Sequence, residues 1–102
     1  MNTPQGYPPA LRARVLERVR VLLVENLRVD RAPDEIDPDA VLFGTGLGLD
    51  SVDAMELLVA VEAAFGLRLD DAMSDPHFFR TVNAVVDIVL QSGGDTIQED
   101  RL

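Results

Sequence analysis

A chain of 102 residues with no cysteine, no lysine and a net charge of −9 has room for one small domain and lacks several chemistries at once. Disulfides, zinc–thiolate sites and thiol catalysis need cysteine, and a Walker phosphate loop needs lysine. Residues 10–29 carry five arginines against Glu17 and Glu25, whereas residues 30–75 carry twelve acids against Arg31 and Arg68, a distribution that argues against nucleic acid as a partner and favours basic protein surfaces.

No apolar run approaches the length of a membrane span, and the N-terminal residues lack the charged-then-apolar layout of a signal peptide. A cytoplasmic monomer that does not insert into membranes is therefore expected. Residues 1–9, with Pro4, Gly6, Pro8 and Pro9, read as a flexible lead. From Ala10 to about Arg28, the residues Leu11, Val15, Val19, Leu22, Leu23 and Leu27 recur at the spacing of one helix face. Residues 29–50 form a long first loop, in which Asp30, Pro33, Asp37 and Pro38 interrupt any helix and Gly44, Gly46 and Gly48 follow. A connection of that length in a small domain needs anchors. Ile36, Val41, Leu42, Phe43, Leu47 and Leu49 are expected to supply them by tucking against the helices.

A second helix is predicted from Ser51 to Phe65, with Asp50 as N-cap and Asp53 completing an acidic capping box. Met55, Leu58, Val61 (or the aliphatic stem of Glu62) and Phe65 form its expected buried side, and Gly66 is placed to end it. Leu67 and Leu69 then continue the apolar contact. Residues 70–75 make an acidic turn, and Pro76-His77-Phe78-Phe79 suggests one short helical turn. Thr81 reads as the cap of a last helix ending near Gln91, with Gly93 and Gly94 beyond it and a flexible tail over residues 92–102. The β-branched content of that segment would suit a strand. The period of Val82, Val85, Val86 and Val89 suits a helix face, and period outweighs propensity. The expected class is all-α: three longer helices and one short one, joined by a long structured first loop.

Ser51 opens the second helix, where free backbone N–H groups and the positive end of the helix dipole favour a negatively charged substituent on its hydroxyl. Leu47-Gly48-Leu49-Asp50-Ser51, followed by an amphipathic helix bearing Asp53 and Glu56-Leu57, resembles the phosphopantetheine attachment site of acyl carrier proteins. The likeness extends over residues 10–91, including Leu42-Phe43 before the site, Phe65-Gly66 after its helix and the Thr81-Val82 opening of the last helix. It implies an acyl-carrier-like four-helix bundle of the freestanding type II kind, in which Ser51 carries 4′-phosphopantetheine taken from coenzyme A by a phosphopantetheinyl transferase. The thiol of that arm would hold acyl groups as thioesters for fatty-acid, polyketide or related lipid biosynthesis. The protein would be a cosubstrate of other enzymes and not a catalyst. Asp50, Val52, Asp53, Glu56, Val59 and Glu62 match positions with which such carriers meet basic docking patches on acyl-loading enzymes, ketosynthases and acyltransferases. The Gly44–Gly48 loop is one residue longer than the usual pattern, and Ala63 and Ala64 stand where many relatives carry acids.

Other readings of the same residues are weaker. A hydrolase elbow needs glycines two residues either side of its serine, and Ser51 lacks them. His77, beside Phe78 and Phe79, reads as a packing residue and not as part of a triad. Asp34, Glu35, Asp37 and Asp39 depart from calcium-loop spacing and read as solvated acids, so no metal site is expected. Two alternatives remain: a docking adaptor that is never modified, and a peptidyl or aminoacyl carrier.

Overall fold

Three amphipathic helices share one apolar core, and what each buries follows from its own repeat. The computed structural model describes residues 9–69 and 80–93. Helix α1 spans Pro9–Leu27, α2 Ser51–Phe65 and α3 Val82–Gly93. All regular structure among the described residues is helical, apart from two isolated bridges, Val41 with Thr81 and Phe43 with Leu49. The short turn expected at 76–79, and His77 with it, lies outside the described residues.

Helix α1 is the centre of the bundle, packing against both α2 and α3, while α2 and α3 meet only narrowly. Val15, Val19, Leu22 and Leu23 form its buried stripe, with Leu11 and Leu27 packed at the margins as the period required. Helix α3 buries Val82, Val85, Val86, Val89 and Leu90. The Thr81 hydroxyl caps it by accepting the Ala84 N–H at 3.1 Å. Burial against α1 therefore outweighs the strand preference of its valines. A polar clamp crosses the same seam. Arg12 donates to Asp87 at 2.6 Å and to Asn83 at 3.0 Å, and the Asn83 amide donates to Asp39 at 2.8 Å.

The long connection is structured throughout. Ile36 and Leu42 are fully buried and Leu49 nearly so, while Phe43 and Leu47 pack partly against the core. Arg20 of α1 donates its Nε–H to the Ile36 carbonyl at 2.9 Å. Leu42 N–H donates to the Arg80 carbonyl and Val82 N–H to the Ala40 carbonyl, both at 3.1 Å, so the connection is stitched to the start of α3.

Three expectations need correcting. Val41 is 48% exposed, not an anchor: its side chain faces away because its backbone pairs with Thr81, and Leu42 takes the inward position. Met55 is 51% exposed. The buried side of α2 is Ala54, Leu57, Leu58, Val61 and Phe65, which centres the stripe about one residue away from the Met55 register. Finally, Pro33–Glu35 forms a turn of 3-10 helix instead of breaking one. Pro33 has the φ a first helical position needs, and the Glu35 carboxylate accepts the Ala32 N–H at 3.1 Å.

Candidate functional site

The site begins with how the chain reaches Ser51. Residues 41–49 close on themselves: Leu47 N–H donates to the Val41 carbonyl at 2.8 Å, Gly46 N–H to Phe43 at 3.2 Å and Leu49 N–H to Leu42 at 3.0 Å. This small lariat fixes the path of the lengthened glycine-rich loop. It ends with the Leu49 side chain in the core, so the next two residues must emerge at the surface.

Asp50 is extended at φ −117° and ψ −174° and caps α2. Its Oδ1 accepts the Asp53 N–H at 2.9 Å, and Asp53 Oδ2 accepts the Asp50 N–H at 3.0 Å. Two backbone donors that the first helical turn would leave unsatisfied are met reciprocally. The Asp53 N–H holds the Asp50 carboxyl below its ordinary value, with the N–H of Val52 acting in the same direction. The capping box read from the sequence is present, as is Gly66 in the left-handed conformation at the other end.

A carboxyl with a lowered native pKa stabilises the fold above the unfolded value, about 3.9, and that contribution disappears as pH falls through the native value. Asp50→Ala is therefore expected to lower the melting temperature at neutral pH. The gap to the parent chain should close as the pH is taken below about 4, which thermal melts across the acid range will measure.

Ser51 is the first residue of α2 and is exposed. A hydroxyl there faces solvent beside the dipole's positive end, suited to bearing a phosphodiester. The outer face of α2 continues from it. Val52, 68% exposed, and Val59, 60% exposed, form a ridge with Met55, and the exposed Glu56 lies among them. Asp53 is half-buried on its flank. Glu62, also half-buried, accepts the Leu69 N–H at 2.8 Å, so its carboxylate is engaged in holding the chain after α2. The sequence reading missed Met55 as a surface residue. Its position one helical turn beyond Ser51, between Val52 and Val59, was the available signal.

Among the described residues no group of three or more acids, histidines or cysteines converges as a metal site would require. The loop acids are occupied locally instead: Asp37 accepts the Asp39 N–H at 2.8 Å, and Asp39 accepts from Asn83. No helix among the described residues is long and apolar enough to cross a membrane.

Comparison with known proteins bears on this geometry. Residues 17–89 match the family described as "Phosphopantetheine attachment site". The chain is 32% identical over 77 residues to an acyl carrier protein of Thermosynechococcus vestitus, covering 76% of this chain and 89% of the relative. It is 35% identical over 81 residues to an acyl carrier protein of Solidesulfovibrio magneticus, covering 79% and 97%. It is also 35% identical over 75 residues to "Acyl carrier protein 2" of Ralstonia nicotianae, covering 74% and 83%.

Proposed function

Because this chain belongs to the acyl carrier proteins, which hold 4′-phosphopantetheine and carry rather than catalyse, we propose that Ser51 is the residue that bears the arm. The observation that carries this reading is the exposed hydroxyl at the first position of α2, directly after a reciprocally capped aspartate. Within a separate transferase the Ser51 oxygen attacks the pyrophosphate of coenzyme A. The hydroxyl proton is lost, a phosphodiester forms, and adenosine 3′,5′-bisphosphate leaves. The arm supplies a terminal thiol on which acyl groups ride as thioesters, chemistry that a chain without cysteine cannot provide itself.

The protein's own residues then present the loaded serine to other enzymes. Asp50 and Glu56 are exposed, and Asp53 is half-exposed beside them. Together they give the start of α2 a negative field that steers basic surfaces toward Ser51. Val52 and Val59 add apolar contact area next to those charges. Glu62, already bonded to Leu69, contributes less as a free charge. The working domain is residues 10–91, acting as a cytoplasmic monomer in fatty-acid, polyketide or related lipid synthesis.

The test is intact-mass analysis of the apo chain after incubation with coenzyme A and a broad-specificity phosphopantetheinyl transferase. A gain of one arm is expected. No gain with several transferases would favour the unmodified docking adaptor. Acyl species released from the protein isolated from its own cells would then identify the pathway, and aminoacyl species would point to a peptidyl carrier instead.

A further inference from the structure

The ridge on α2 does not end at solvent on its far side. It borders a groove between α1 and α2 of about 430 Å³, lined by Asn26, Met55, Glu56, Val59, Ala60 and Ala63. A second hollow shares Asn26, Ala60 and Ala63 with the first and continues it to Arg18 and Ala64. The groove is open to a partner because Ala60, Ala63 and Ala64 are small and leave room along the helix. It changes character along its length. Glu56 lies at one end, Met55 and Val59 form an apolar wall, and Arg18 stands at the other end.

Arg18 is the informative group. Its Nε–H is buried and has no hydrogen-bond partner among the described residues, while the residue as a whole is only half-buried. The buried Nε lies out of a partner's reach, but Arg18 is only half-buried and lines the end of the hollow, and the outer nitrogens of a guanidinium are shaped to pair with a carboxylate laid along it.

We infer that the α1–α2 groove is a docking surface for a partner-protein segment that lays apolar side chains between Met55, Val59 and Ala63 and ends on a carboxylate paired with Arg18. This rests on the carrier reading and extends it. The partner meets acids near Ser51 with basic groups, and it meets Arg18 with an acid. Its footprint has opposite charges at its two ends, which fixes the direction in which it lies along α2.

The test uses the isotope-labelled, arm-bearing chain and two synthetic amphipathic helical peptides. Both carry lysine at the end meeting Glu56 and leucines on one face, and they differ only in glutamate or lysine at the end meeting Arg18. The glutamate peptide should shift the amide resonances of Asn26, Ala60 and Ala63 and bind about two- to fivefold more tightly than its lysine twin. Arg18→Glu should reverse that preference, and Arg18→Gln, the milder change should the first unfold the chain, should erase it. Equal binding of both peptides, or none at the groove, would overturn the inference. So would shifts of the same resonances with protein concentration alone, which would assign the groove to a second copy of this chain. Loading of Ser51 in the unaltered chain, followed separately by mass, reports on the carrier reading regardless of the peptide result.

Discussion

Gly46→Ala should cost about 1–3 kcal/mol of folding stability and disorganise the lariat that leads into Ser51. A Cβ on Gly46 would land on the Val41 carbonyl and come within 2.9 Å of the Val41 Cβ. Neither obstacle is the free end of a flexible side chain, so backbone must move. The Val41 carbonyl also accepts the Leu47 N–H, and moving it breaks the bond that closes the loop. Urea denaturation should give a lower midpoint, and hydrogen exchange should show lost protection at Leu47 and Leu49. Gly44 is the control: φ is +64° there and nothing lies within 4 Å of an added Cβ. Asparagine tolerates that backbone, so Gly44→Asn should cost less than about 1 kcal/mol.

Leu57→Ala should remove about 2–5 kcal/mol, a large share of what a domain of this size possesses. Leu57 is fully buried on the face of α2 that packs into the core, and its truncation leaves a cavity whose walls are held by α1 and α2. Met55→Ala, two residues earlier on the same helix, should change stability by less than about 0.5 kcal/mol because the side chain is half exposed. Chemical denaturation of the pair separates the two faces of α2. Equal losses would mean that the helix is rotated from the orientation described.

That pair also marks where the sequence was readable. Capping of α2 by Asp50 and Asp53, its end at Gly66 and capping of α3 by Thr81 are all set by residues within one turn of each other, so each was legible. The helical state of α3 was legible too, because four valines on one face outweighed their strand preference. Met55 and Val41 were misjudged for a common reason: apolarity says that a side chain can be buried, but the neighbouring helix or bridge decides which one is. Ala54 is small and Leu57 lies outside the assumed register, yet both are buried in the core. The pairing of Val41 with Thr81 joins residues far apart in the chain, and no local pattern announces it. The position of Ser51 was legible because a helix start is a local event. The groove ending at Arg18 was not, since it exists only once α1 lies across Ala60, Ala63 and Ala64.

The attachment of the arm at Ser51 is tested most directly by digesting the loaded chain and locating the added mass by tandem mass spectrometry, alongside Ser51→Ala. The arm should sit on the peptide containing Ser51. The alanine variant should take up none while melting with the parent chain, because the exposed hydroxyl contributes little to the fold. An arm on Thr45 or any other hydroxyl, or a folded Ser51→Ala chain that is still loaded, would contradict it.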